Sequence, residues 1–279
     1  MVRIIIDSTT DVAEAIADKV KIVPLTIRFG EEEYVDRVTI DHKTFYEKLI
    51  ESDVLPITSQ ATPGDFGPIF EEVAKAGDTA VVLTLSSKLS GTYQSAMIAA
   101  GDYPGKIFVV DGKSVAIGTG ILAELAVTLA EAGKAAEEIA QTLEAERENV
   151  RVIALLDTLE YLRKGGRISA TVAVAGSLLS IKPVVNLQDG AVNILGKARG
   201  SKQGNNLLVK EIENAGGVDF QKPLLLGYTG LNDDLLQKYI RDSAHLWEGH
   251  SDALRIAAVG SVVGTHAGPG VVAAAFFKK

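Results

Sequence analysis

Ala80-Val81-Val82-Leu83-Thr84-Leu85 runs without a break into Ser86-Ser87-Lys88-Leu89-Ser90-Gly91-Thr92-Tyr93-Gln94-Ser95-Ala96, and Met97-Ile98-Ala99-Ala100 follows. An apolar run, a hydroxyl-rich turn and a second apolar run predict strand, turn and helix. The first turn of a helix leaves main-chain N–H groups without partners and carries partial positive charge, so a turn of this kind suits an anion. Ser90 also reads as the helix cap, a role that needs no ligand. Both readings stay open from these residues alone.

The same pattern recurs on either side. Val2 to Ile6 is an apolar strand closed by Asp7-Ser8-Thr9-Thr10-Asp11, with a helix expected over Val12 to Ala17. Ile22 to Ile27 reads as a strand that Pro24 places at an edge. Asp41 caps a helix carrying Phe45, Tyr46, Leu49 and Ile50; Thr62 with Pro63 starts another carrying Phe66, Phe70 and Val73. Lys106 to Val110 is a strand, followed by helices over Val115 to Ala132 and Ala135 to Asn149 and a strand over Val152 to Leu156. Strands this continuous in apolar residues, alternating with helices, imply a parallel sheet covered on both faces. Ligands in such sheets sit beyond the carboxyl ends of the strands, where Asp7-Ser8-Thr9 and Ser86 to Thr92 both fall.

Beyond residue 157 the architecture changes. Asp157-Thr158-Leu159-Glu160 opens a short helix stopped by Gly165-Gly166, and a small-residue helix is expected from Ile168 to Leu179. Asp189-Gly190 is a two-residue hairpin turn between strands 181–188 and 191–198. Helix, strand, helix and strand follow; then comes the Gly-rich stretch Gly260 to Gly270, read as a loop, and a last strand from Val271 to Phe277. The expected fold is therefore α/β: an N-terminal, mainly parallel α/β/α sandwich (1–156) and a C-terminal α/β domain with a mixed sheet (157–279).

With 47% hydrophobic residues the chain has ample core, and a net charge of -8 argues against general nucleic-acid or membrane-surface binding. The absence of cysteine removes disulfides, thiolate metal sites and cysteine nucleophiles together. His42, His245, His250 and His266 have no metal-ligand spacing, so no metal or cofactor is expected; the first three read as surface residues. No membrane span and no basic-plus-apolar leader is evident, giving the expectation of a cytoplasmic protein. From Arg163 to Lys202 seven basic residues face one acid, Asp189: +6, against -14 for the remainder. That concentration marks a face or cleft that meets an anion, or a solvated hairpin face. Gly118-Thr119-Gly120-Ile121-Leu122-Ala123 falls inside a helix rather than at its start, so its glycines are packing positions and not a dinucleotide loop.

Three long motifs carry a resemblance: Ser86 to Ala96, Leu159-Glu160-Tyr161-Leu162-Arg163-Lys164-Gly165-Gly166-Arg167-Ile168, and Gly264-Thr265-His266-Ala267-Gly268-Pro269-Gly270. With Ile6-Asp7-Ser8-Thr9, Thr58-Ser59-Gln60 and Ile181-Lys182-Pro183, in this order and end to end, the chain resembles the DegV family. The resemblance implies a lipid-binding protein of two domains that holds one long-chain fatty acid in an apolar tunnel in the interdomain cleft. It further implies the binding subunit of a fatty acid kinase, presenting the carboxylate to a separate ATP-binding subunit that makes the acyl phosphate. Position by position it makes Thr58 and Ser90 hydroxyl donors to the carboxylate, completed by Arg167 and His266, with Ser59, Gly91 and Thr92 as secondary candidates. The chain departs from the family's frequent Tyr-x-Asp-Gly at Tyr34-Val35-Asp36-Arg37, which leaves the packing of 31–40 open. Two other readings stand beside this one: a fatty acid carrier without a kinase, and a serine hydrolase using Ser90 and His266, which lacks the Gly-x-Ser-x-Gly elbow.

Overall fold

The computed structural model describes residues 1–168 and 181–279; the expected helix from 168 to 179 lies almost wholly outside the described residues. In chain order the elements are β1 (Val2–Asp7), β2 (Val20–Val23), β3 (Thr26–Phe29), β4 (Glu32–Val35), α1 (His42–Glu51), β5 (Ile57–Ser59), α2 (Pro63–Lys75), β6 (Thr79–Thr84), α3 (Thr92–Ala100), β7 (Ile107–Asp111), α4 (Ile117–Glu131) and α5 (Ala136–Glu146). They continue with β8 (Val150–Leu155), α6 (Glu160–Lys164), β9 (Ile181–Gln188), β10 (Ala191–Arg199), α7 (Gly200–Asn214), β11 (Leu225–Tyr228), α8 (Asp234–Asp242), β12 (Ile256–Ala258), α9 (Ser261–Ala267) and β13 (Val272–Phe277). The described strands form three sheets: a parallel one ordered β2-β1-β6-β7, a mixed one ordered β10-β9-β8-β13-β11-β12, and a small antiparallel one ordered β4-β3-β5.

Alternation along each strand sets the layers. In the parallel sheet Ile4, Ile6, Val81, Leu83 and Val110 face α4 and α5, while Ile5, Ala80 and Val82 face α2 and α3. In the mixed sheet Val271, Ala273, Ala275 and Phe277 face α4, and Val272, Ala274 and Phe276 face α7 and α8. Helix α4 is thus shared between the two sheets. It is buried continuously from Ile117 to Glu124, as a helix covered on both sides must be. Its glycines admit close neighbours: a Cβ on Gly118 would strike Ser114 and Val152, and one on Gly120 would strike the Asp11 carbonyl.

Several expected elements form for the reasons the sequence supplies. Asp41 accepts the Thr44 N–H at 2.8 Å, and the Asp65 carboxylate takes both the N–H and the hydroxyl of Thr62 at 2.7 Å. Asp189 and Gly190 stand at φ 50 and 80, the left-handed pair that a two-residue hairpin requires.

Other expectations change. The helix over 12–17 is a short 3₁₀ turn, Glu14–Lys19, running straight into β2. The strand expected over 22–27 is broken at Pro24: β2 ends on the edge of the parallel sheet, and β3 belongs to the antiparallel one. Ile50 is exposed, and His42 is half-buried with its ring 4.7 Å from that of Tyr46. The stretch 260–270 contains helix α9. Strand β8, assigned to the first unit by a division at 156, pairs antiparallel with β13 and β9; we place the division ahead of it, at residues 147–149.

The sharing of α4 has a measurable consequence. Gly120→Val overpacks the contact with the Asp11 backbone and is expected to cost about 1–3 kcal/mol or more, read as a lowered thermal midpoint. An unchanged midpoint would contradict the close approach.

Candidate functional site

A cavity of about 430 Å³ opens where α4 begins, between the carboxyl edge of the parallel sheet and the face of the mixed sheet. Thr9, Leu85, Ala116 and Ile117 line it from one side; Val152, Ala154, Val185 and Ala273 line it from the other. The position is the one expected for a ligand beyond parallel strand ends. Two turns are fixed there by Asp7, which is fully buried. Its carboxylate accepts the Thr9 N–H and hydroxyl at 2.9 and 2.5 Å and the Leu85 N–H at 2.7 Å, joining the ends of β1 and β6.

All four primary candidates line this cavity. Thr58 sits on β5, opposite Ile27 of β3, and its Oγ1 lies 2.9 Å from Nε2 of His266 in the last turn of α9. The two residues are 208 positions apart in the chain. Ser90, read from the sequence as the helix cap, lies one residue ahead of the observed one: Gly91 occupies the N-cap, and the Ser90 hydroxyl pairs with the Thr92 hydroxyl at 3.0 Å and accepts the Thr92 N–H at 3.3 Å. Arg167 follows α6 through Gly166 at φ 70 and crosses to the Ser90 turn. Its Nε donates to the Leu89 carbonyl at 3.2 Å and its Nη1 to the Gly165 carbonyl at 2.6 Å.

Of the secondary candidates, Ser59 and Gly91 line the mouth and Thr92 is buried against Ser90. Gly91 has a packing reason to be glycine. A Cβ there would collide with the side chain of Gln60, whose Nε2 donates to Ser95 Oγ at 3.0 Å and ties the Thr58 strand to α3. The hairpin tip is tied to the end of β6: the Ser86 hydroxyl donates to the Gly190 carbonyl at 2.7 Å.

Electrostatically, among the described residues, the site holds one fixed cation, Arg167, beside an imidazole that burial keeps neutral. Burial, reinforced by the charge on Arg167, lowers the pKa of His266 to about 4. Its Nδ1 is buried against Gly165, where a Cβ would collide with the ring, and has no hydrogen-bond partner among the described residues. Among the described residues Arg167 has main-chain carbonyls as partners and no carboxylate, so its charge is available to an anion.

The remaining wall is apolar, and it was not legible as a wall from the sequence. In the mixed sheet Ala154 pairs directly with Ala273, and Val185 and Gly227 continue that row on either side. Two alanines opposite each other leave a furrow where larger residues would fill the space. Asn186 and Thr229 also line the cavity and carry no motif that singles them out. The hydrogen bonds give no nucleophile–base couple of the hydrolase kind: Nε2 of His266 goes to Thr58, and the Ser90 hydroxyl goes to Thr92. Among the described residues no group of three or more His, Asp or Glu is placed to hold a metal ion, and no helix is long and apolar enough to cross a membrane.

Comparison with known proteins places the fold. A DegV domain-containing protein of Caldanaerobacter subterraneus subsp. tengcongensis is 32% identical over 283 aligned residues, covering 100% of this chain and 99% of the relative. Among solved structures, a fatty-acid-binding DegV family protein from Thermus thermophilus matches with a TM-score of 0.87 at 30% identity over 99% of both chains. A stearic-acid-binding protein from Eubacterium ventriosum matches with a TM-score of 0.87 at 25% identity, over 100% of this chain and 99% of that one. Residues 1–279 match the family model whose description is an uncharacterised protein of the DegV family, and with it this α/β chain belongs to that family.

Proposed function

We propose that the chain binds one long-chain fatty acid, its tail in the cavity between the sheets and its carboxylate among Thr58, Ser90, Arg167 and His266. The observation that carries this reading is the division of one cavity into two chemistries: hydroxyls and a guanidinium with no carboxylate partner among the described residues on one part of the lining, aliphatic side chains on the rest. A fatty acid has the same division. Each buried methylene contributes about 0.8 kcal/mol, so a tail of more than a dozen carbons supplies on the order of 10 kcal/mol before ordering costs. The carboxylate needs hydrogen bonds once it leaves water, and a neutral imidazole, two hydroxyls and Arg167 supply them. The fatty acid bound by the Thermus relative and the stearic acid bound by the Eubacterium relative support the assignment.

In the same proposal the protein is a binding subunit: it presents the carboxylate to a separate ATP-using kinase, which makes the acyl phosphate. Two things support this. One is the resemblance of the motifs; the other is the basic segment 163–202, whose charge suits a phosphate-bearing partner in an otherwise acidic chain. A pull-down that retains a kinase subunit, with ATP-dependent phosphorylation of the bound acid, is the expected result. No partner and no phosphorylation would leave a simple carrier. The site also lies in the cytoplasm in this reading.

Protein purified from cells should release a fatty acid on extraction, and native mass spectrometry should show one per chain. Ser90→Ala is expected to weaken oleate binding about fivefold and Arg167→Ala about ten- to a hundredfold, with the fold intact. Binding indifferent to both changes would remove their assigned roles. Covalent labelling of Ser90 by a fluorophosphonate would favour the hydrolase instead.

The furrow gives a second expectation. Ala273→Leu should shift the preferred ligand to acids a few carbons shorter while a short-chain acid binds as before. Equal losses at every chain length would mean that the tail does not lie along Ala154 and Ala273.

The third concerns pH. His266 ionises near 6.5 when unfolded and near 4 when folded, so between these values the unfolded chain binds more protons. Its contribution to stability is therefore complete above about pH 6.5 and is lost as pH falls towards 4. Ligand-free wild type should lose stability across that window faster than His266→Gln; parallel curves would show that the imidazole is not held neutral.

A further inference from the structure

Arg37 stands at φ 64, a left-handed conformation that a side chain other than glycine rarely adopts. Its guanidinium turns inward: Nη2 donates to Asp11 Oδ1 at 2.6 Å and to the Thr10 carbonyl at 3.1 Å. Asp11 is 2% exposed, and the same Oδ1 accepts the N–H of Gly260 at 3.0 Å. Gly260 is the N-cap of α9, and a Cβ there would lie 3.2 Å from that oxygen and 3.4 Å from Arg37 Nη2. Asp36, also buried, adds a second carboxylate next to Arg37 in the chain. Three segments distant in sequence are therefore fastened at one point.

The fastening belongs to a closed circuit. Arg37 lies just beyond β4; β4 pairs with β3, and β3 pairs with β5 at Ile27–Thr58. Thr58 bonds His266 at the end of α9, and α9 begins at Gly260, which returns through Asp11 to Arg37. The small antiparallel sheet is thus held across α9 at two places, the Thr58–His266 hydrogen bond at one end and the Arg37–Asp11 pair at the other. Arg37 itself does not line the cavity. We propose that Arg37 is a positioning residue for the head-group site: through Asp11 and Gly260 it sets where α9 starts, and so keeps His266 within hydrogen-bonding reach of Thr58. This rests on the reading of that pair as part of a carboxylate site.

The test compares wild type with Arg37→Gly, which accepts the left-handed backbone but removes the guanidinium, and Arg37→Lys, which keeps a positive charge. The readouts are oleate affinity by fluorescence competition, the imidazole ¹⁵N signals of His266 without ligand, and the thermal midpoint. Arg37→Gly is expected to melt cooperatively, to bind oleate at least tenfold more weakly and to shift the His266 signals, with Arg37→Lys between it and wild type. Binding within twofold of wild type with His266 signals unmoved would overturn the proposal, as would weaker binding with those signals unmoved. Should Arg37→Gly fail to fold, Arg37→Lys decides alone: shifted His266 signals support the role and unmoved ones end it. A wild type that cannot bind oleate sinks the functional reading, and the ligand-free His266 signals still judge Arg37.

Discussion

One helix keeps two sheets apart. Helix α4 packs its buried length against the parallel sheet on one side and the mixed sheet on the other, so the two sheets are held apart by at least a helix diameter, ~10 Å. Neither sheet can approach the other while that helix lies between them. Its N-terminus is at Ile117, and Val115, Ala116 and Ile117 all line the cavity. The cavity is what remains of the gap once the spacer stops. Its glycines serve the same constraint, since a side chain on Gly118 or Gly120 would push the helix off Val152 or off the Asp11 turn. The position of the site is therefore a consequence of core packing, and the loops only furnish its mouth.

The mouth solves a desolvation problem with little charge. A site built from several cations would hold a carboxylate more tightly, but each buried charge costs several kcal/mol when its partner is absent. Here the fixed charge is Arg167, held by main-chain carbonyls, and the other groups are hydroxyls and an imidazole that burial keeps neutral. Such a set tolerates both presence and absence of an anion, as the proposed role of taking up a ligand and presenting it would require. For the proposed fatty acid, affinity would come mainly from apolar burial, and the polar groups would decide which end of the ligand faces out.

Much of this could be read from the residues, and the failures have physical causes. Caps at Asp41 and Thr62 and the Asp189-Gly190 turn are local chemistry, complete within a few residues, and all three formed. Strand β8 is apolar and ends in a turn, which says that it is buried but not which strands it pairs with; its partners are β13, more than a hundred residues on, and β9. Pro24 reads as an edge signal within one strand, and nothing local says that the chain breaks there and that the two halves join different sheets. Glycine content made 260–270 look like a loop because glycine disfavours helix. In α9 a contact overrides that preference, since a Cβ on Gly264 would strike Phe45 and Tyr46 of α1. The four residues proposed for the head group come from the family resemblance, and the bond between Thr58 and His266 belongs to tertiary structure alone. Arg37 marked a departure whose meaning needed its φ and the partner of its guanidinium.

The cavity wall is also part of the protein's core. Ile117, Leu156, Leu162, Val185, Val271 and Ala273 line the cavity and belong to the same continuous cluster of buried side chains that α4 organises between the sheets. A fatty acid tail lying there would extend that cluster and touch both sheets at once. Its binding energy would then act as folding energy, raising stability with the logarithm of ligand concentration over the dissociation constant. The same contacts make release costly, because the tail cannot leave without exposing the walls it covers. A partner that modified only the carboxylate would have no need for that exposure: in the proposed pose the head group would lie at the mouth, beside Ser59, Gln60 and Gly91, and the tail would stay in the core. Chemistry at one end with burial at the other is the division of labour that the placement of α4 makes possible.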